Sequence, residues 1–274
     1  MTRYTIALLG AGSMGAAVGK LLSASGARVL TTLEGRSAAS IARASDAGME
    51  DASVDELAAA DFILSIVPPA VAVDTAQRLA PALTRAAKKA VYIDCNAISP
   101  QTVAAIAQTV DAAGAAFVDG GIIGLPSSPK FYFSGSHAPR ANGLAGAGLA
   151  VRLLDGPIGA ASALKMSYAG ITKGLTAIGA AMSLAAMRNG AGRALLDELA
   201  ESQPEIAAWL ASNVPRMPPK AYRWVAEMEE IAAFIGDDFA EHRIYEGASG
   251  LYARLAADKT ATDALTEFFD GSRR

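Results

Sequence analysis

Gly10-Ala11-Gly12-Ser13-Met14-Gly15 is the first group of residues in this chain whose types and spacing can do chemistry. It directly follows the apolar run Tyr4–Leu9 and precedes a helical pattern from Ala16 to Leu22. That strand-turn-helix context is what a phosphate-cradling GxGxxG needs. The first glycine permits a tight turn, the second lets backbone approach a pyrophosphate, and the third lets the helix pack closely with its N-terminus facing the anion. Gly10, Ala11, Gly12, Ser13, Met14 and Gly15 are therefore expected to hold a dinucleotide. Two signals conflict after the next apolar run. Glu34 lies nineteen positions beyond Gly15, suited to the ribose 2′-hydroxyl of NAD, whereas Arg36 and Ser37 suit the 2′-phosphate of NADP. NADP is the expectation, with NAD as the alternative; the bland reading makes Glu34 and Arg36 solvated loop charges.

The elements that must position these groups follow from apolar periodicity. Short β-runs at Tyr4–Leu9, Arg28–Thr32, Phe62–Val67, Val91–Asp94, Ala116–Val118, Phe131–Ser134 and Val151–Leu154 alternate with Ala-rich amphipathic stretches. This is the pattern of an α/β domain with a parallel sheet and crossover helices. Beyond Gly159 the pattern changes to one long helix, Ser162 to Asn189, and further helices. The expected division is a Rossmann dinucleotide-binding domain over 1–160 and an all-α substrate and dimerisation domain over 161–274. Gly170, Gly174 and Gly179 in the long helix cost helix stability, which makes sense if another helix approaches closely, within the subunit or from a partner.

Five blocks in order resemble the 6-phosphogluconate dehydrogenase and β-hydroxyacid dehydrogenase superfamily, with this chain on a divergent branch. They are Leu9–Gly15, Ala60–Pro69, Asp94-Cys95-Asn96-Ala97-Ile98-Ser99-Pro100, Phe117-Val118-Asp119-Gly120-Gly121-Ile122-Ile123-Gly124, and Gly159–Lys165. The resemblance implies that Val67, Pro68 and Pro69 lie along the cofactor, that Asn96 touches cofactor and substrate, and that Ile123 and Gly124 belong to the substrate loop. It makes Lys165 the catalytic lysine. Departures accompany the matches: Asn96 and Ile123 stand where the family has Ser, Leu125 where it has Gly, and Ala169 where it has Asn.

Hydride transfer between a nicotinamide and a carbonyl needs a group that gives or takes the hydroxyl proton, and a lysine with a lowered pKa can do so. With Ser162 as N-cap, Lys165 falls in the first helical turn, where the dipole and burial both disfavour the ammonium. Tyr168, one turn on, is a candidate to bond substrate or assist proton transfer, or else a packed aromatic. Lys173 lies well off the face of Lys165 and reads as structural. Lys220 and Arg223, beside Trp224, are candidates to bind an anionic substrate; the competing reading pairs Arg223 with Glu227 on the surface.

Composition limits the partners. With 24 basic and 27 acidic residues, net charge is −3, and no basic run supplies the footprint of a nucleic-acid binder. No nucleic acid or membrane partner is expected. Cys95 is the one cysteine, which fits a reducing cytoplasm, and His137 and His242 lack metal-ligand spacing. The reading is thus an NADP-dependent oxidoreductase acting on a small hydroxy or carbonyl compound, cytoplasmic and homodimeric. An imine reductase or a non-catalytic dinucleotide-binding sensor are the alternatives.

Overall fold

The computed structural model describes residues 4–271. Its chain divides into two compact units, one ending at Met166 and the other starting at Ser167. The division falls inside the long helix rather than ahead of it.

The first unit alternates strand and helix. In chain order these are β1 (Thr5–Leu9), α1 (Ser13–Ala24), β2 (Arg28–Thr31), α2 (Ala38–Asp46), β3 (Met49–Asp51), α3 (Val54–Ala58), β4 (Phe62–Ser65) and α4 (Ala72–Arg85). There follow β5 (Val91–Asp94), α5 (Pro100–Ala112), β6 (Ala116–Ile123), β7 (Lys130–Ser134), α6 (Gly143–Gly146) and β8 (Ala150–Leu153). They build one sheet in the order β3-β2-β1-β4-β5-β6-β7-β8. All neighbours are parallel except β6 and β7, which run antiparallel, a departure from the all-parallel expectation. The chain reverses there through Gly124, whose φ of 113° an L side chain rarely adopts.

Strand periodicity sends alternate residues to two buried faces. Ile6, Leu8, Val29, Leu64, Ile93 and Val118 pack with Val18 and Leu22 of α1. Ala7, Leu9, Leu30, Ile63, Tyr92 and Phe117 pack with residues of α3, α4 and α5 such as Leu57, Leu83 and Ile106. Most strand ends fall within two residues of expectation, but one strand was not expected and another runs well past its expected end. β3, with its exposed Glu50 and Asp51, carries too little apolar signal to be read from sequence. β6 runs on past Val118 to Ile123, buried throughout, because Gly120 and Gly121 extend the strand instead of ending it.

The remaining described elements are helical: α7 (Ala160–Arg188), α8 (Gly192–Ser202), α9 (Pro204–Asn213), α10 (Ala221–Ile235), α11 (His242–Ala257) and α12 (Lys259–Gly271). Pro218-Pro219 form a single 3-10 turn ahead of α10 rather than its first turn. α7 is long and apolar enough, by length and composition, to cross a bilayer. Within the second unit its small residues are occupied: Gly170 and Gly174 face the ring of Tyr245, and a Cβ at Gly179 would stand 2.3 Å from a methyl of Leu210. The close approach inferred from these glycines is therefore made within the chain.

Candidate functional site

The turn after β1 is tight and leaves a helix start uncapped. Gly10 has φ 102°, and a Cβ there would lie 2.4 Å from the carbonyl oxygen of Ile66. A Cβ at Gly15 would lie 1.9 Å from the Gly10 carbonyl, so that position tolerates no side chain. Gly12 differs, because nothing stands within 4 Å of where its Cβ would be. No side chain caps α1 at this residue. Open space at the second glycine and uncapped N–H groups at a helix start fit a pyrophosphate. Ser13 is exposed and Met14 half-buried in the same turn.

Beyond β2 the turn at Gly35, φ 68°, leaves Glu34 and Arg36 exposed on either side. Ser37 is the N-cap of α2, its hydroxyl accepting from the Ser40 N–H. Arg43, which the sequence reading did not single out, reaches back from α2: its Nε donates to the Ala11 carbonyl at 3.0 Å and Nη2 to Ser40 Oγ at 2.9 Å.

At the ends of β4 and β5, Asn96 is 2% exposed and its carboxamide is committed inside the protein. Its Oδ1 accepts from the Val67 N–H at 2.7 Å, and its Nδ2 donates to Ser65 Oγ and to Asp94 Oδ2 at 3.0 and 2.8 Å. Asn96 thereby fixes the backbone entering Val67-Pro68-Pro69, which is the contribution its geometry allows to a cofactor wall. Burial raises the Asp94 carboxyl to about 7, and the neighbouring Asp119 charge pushes the same way, against the bonds from Asn96. The Cys95 thiol is likewise held up by burial, far from a reactive thiolate.

Asp119 is the residue that sequence reasoning quoted without giving it a task. It pairs in register with Asp94 across β5 and β6 and is fully buried. Oδ2 accepts from the N–H groups of Gly159 (2.9 Å), Ala161 (2.9 Å) and Ser162 (3.1 Å) and from Ser134 Oγ (2.9 Å). Oδ1 accepts from Ser162 Oγ at 2.6 Å. The cap of α7 is therefore Asp119, supplied by a strand, while Ser162 lies inside the first turn instead of capping it. A carboxylate at that end meets both the orphan N–H groups and the dipole. The available signal was an acid in a wholly apolar strand, which must find partners.

The same strand seats Lys165. A Cβ at Gly121 would stand 2.7 Å from the Ala161 carbonyl and 3.3 Å from Lys165 Cβ, so only glycine lets α7 lie this close to β6. Lys165 is half-buried, and burial alone lowers its pKa. Among the described residues no hydrogen-bond or ion-pair partner is recorded for its ammonium. Ile123 ends β6 as a core side chain at 9% exposure, whereas Leu125, two residues on, is 63% exposed. An apolar contact from this loop is thus Leu125's to make, with Gly124 turning the chain between them.

Other anticipated residues lie in the second unit. Tyr168 is half exposed on α7, its carbonyl accepting from the Thr172 hydroxyl. Lys220 and Arg223 are exposed, Arg223 resting over the Tyr222 ring at 5.9 Å. Glu227 is not Arg223's partner: it pairs with Lys173, which also lies 5.2 Å over the Trp224 ring. Among the described residues, no group of three His, Cys, Asp or Glu side chains could hold a metal ion.

Fold and glycine turn define a Rossmann-type dinucleotide-binding protein with a helical C-terminal region. Residues 5–127 match the NAD binding domain of 6-phosphogluconate dehydrogenase, and residues 186–255 match a domain of unknown function, DUF1932. The first match supports the resemblance to the 6-phosphogluconate dehydrogenase superfamily over residues 5–127. A conserved protein of unknown function, whose structure is described as similar to 3-hydroxyacid dehydrogenases, is 25% identical with a TM-score of 0.73 over 94% of this chain and 99% of its own. The 3-hydroxyisobutyrate dehydrogenase of Mycobacterium tuberculosis, solved with L-serine, shares the fold at 19% identity and a TM-score of 0.69, all of both chains being covered. An uncharacterized 28.5 kDa protein of Methanothermus fervidus is 32% identical over 142 residues. That match spans about half of each chain, 52% in both cases.

Proposed function

We propose that this protein is an NADP-dependent oxidoreductase interconverting a small hydroxy compound and its carbonyl, with Lys165 as general acid and base. The observation that carries the reading is Lys165 itself: half-buried, lowered in pKa, without a carboxylate partner among the described residues, and fixed over Gly121 by the helix start that Asp119 caps. A lysine kept for structure is normally paired or fully solvated, and this one is neither.

The nicotinamide, when bound, takes or gives the hydride. Gly10 to Gly15 would hold its pyrophosphate, Val67-Pro68-Pro69 its flank, and Arg36 with Ser37 the 2′-phosphate. In the oxidising direction the neutral Nζ of Lys165 takes the proton from the substrate hydroxyl; in the reducing direction the ammonium returns it to the carbonyl oxygen. Burial favours the neutral amine and brings the group toward the pH range where both steps proceed. With Leu125 exposed beside Gly124, the loop offers an apolar surface where the resemblance implies a glycine. Tyr168, Lys220 and Arg223 remain proposed substrate contacts from the second unit.

A screen of hydroxy acids, amino alcohols and cyclic imines, followed by reduced-nicotinamide absorbance, tests the activity. Turnover of imines alone would replace the dehydrogenase reading. Cofactor binding with no turnover on any class would leave a sensor.

We also propose a homodimer, cytoplasmic in location. Its interface is the α7 face carrying Ile171, Leu175, Ile178 and Met182, whose alternating 4- and 3-residue spacing is that of a helix seam. Ile171, Ile178 and Met182 are 70%, 54% and 57% exposed. A second copy presents the same stripe, as a two-fold interface requires. Light scattering should report a dimer that Ile178→Glu converts to monomer; a wild-type monomer at micromolar concentration would remove the proposal.

A further inference from the structure

Arg43 combines two properties seldom found together in an arginine. Its guanidinium is pinned in orientation, Nε on the Ala11 carbonyl of the glycine turn and Nη2 on Ser40 Oγ. Yet its charge is unanswered: among the described residues no carboxylate lies within ion-pair distance of Arg43 or of Arg36. A guanidinium has five N–H donors, and the two bonds leave three without a partner. A carbonyl and a hydroxyl need no positive charge to satisfy them, so the fixed cation is available for an anion. Ser37 Oγ stands 3.1 Å from Ser40 Oγ, placing two hydroxyls beside the same guanidinium.

We propose that Arg43, and not Arg36 alone, is the residue that reads the 2′-phosphate of NADP, held ready for it by the glycine turn itself. This rests on the NADP reading above. A planar fork whose orientation is already set loses little freedom on meeting a phosphate; Arg36, exposed like Arg43, sits on a loop with no described contact to orient it. The bond to Ala11 gives Arg43 a second consequence. It ties the segment that holds the pyrophosphate to the helix that reads the ribose, so the two phosphate sites form one rigid body.

The test is calorimetric titration of the purified protein with NADP+ and, separately, NAD+. Wild type should prefer NADP+. Arg43→Met should weaken NADP+ about tenfold or more while NAD+ changes by less than about threefold, the loss expected for one charge-assisted contact. Arg43→Lys, which keeps the charge but not the fork, should fall between. If wild type prefers NADP+ and both variants keep that ratio, the assignment to Arg43 is wrong and the NADP reading stands. An equal loss for both cofactors would make Arg43 a strut of the glycine turn only. Wild type without preference would overturn the NADP reading and this inference with it.

Discussion

In the sheet unit Ser65, Asp94, Asn96, Asp119, Ser134 and Ser162 are all buried and bond across elements, tying β4, β5, β6 and β7 to the start of α7. In the helical unit the buried hydroxyls of Thr176 and Thr262 bond to their own helices, four and three residues back. Its interior pair, Lys173 with Glu227, is enclosed by Trp224 and Tyr252, whose hydroxyl donates to the Lys173 carbonyl at 2.5 Å. The difference teaches where each kind of precision resides. Bonds between elements fix strands and a helix end to within a fraction of an ångström, which an acid/base lysine requires. In the second unit Lys173 ties α7 to α10 through Glu227 and to α11 through the Tyr252 hydroxyl, while Thr176 and Thr262 bond only within their own helices.

Removing Asp119 should break this comparison most severely. Asp119→Ala orphans the N–H groups of Gly159, Ala161 and Ser162 in the interior, and a loss of about 3–5 kcal/mol in chemical unfolding is expected. A variant within 1 kcal/mol of wild type, or about that, would show the network to be dispensable. In the helical unit Lys173→Met leaves Glu227 without its partner, but both groups keep some solvent, so about 2 kcal/mol is the expected cost. A larger loss than that of Asp119→Ala would invert the contrast.

Asp94 sharpens the contrast through pH. Its folded pKa, about 7, lies above the ordinary value of 3.8, so between these values the native state holds a proton that the unfolded chain releases. Stability therefore falls as pH rises from about 4 to about 7, by an amount on the order of a few kcal/mol. Unfolding midpoints measured across that interval should show the decline, and Asp94→Asn should flatten it. A midpoint that climbs over the same range would contradict the assignment. The smallest effects separate a buried cap from a surface pair. Ser99→Ala, at the N-cap of α5, should cost about 1 kcal/mol, whereas Arg193→Ala, which loses the exposed pair with Asp197, should cost under about 0.5 kcal/mol.

What the sequence made legible was local. Apolar periodicity marked seven of the strands in place, and the glycine spacing after β1 marked the tight strand-to-helix turn. β3 escaped because two of its three residues are charged. The far half of β6 escaped because Gly120 and Gly121 look like strand breakers, although α7 lies so close that only glycine fits at 121. The site residues that were missed act at long range. Asp119 caps a helix through bonds that begin forty residues later, at Gly159, and Arg43 bonds a turn 32 residues before it. Lys173 finds Glu227 54 positions on, where helical spacing had offered Arg223 to that carboxylate. Spacing rules see one helix or one turn; these contacts require the folded sheet.

Lys165 tests the account most directly. With any substrate the screen identifies, Lys165→Ala should retain NADP+ affinity to within about threefold while turnover falls by about 100-fold or more, as the loss of a positioned acid/base requires. A Lys165→Ala protein that turns over at the wild-type rate would contradict it.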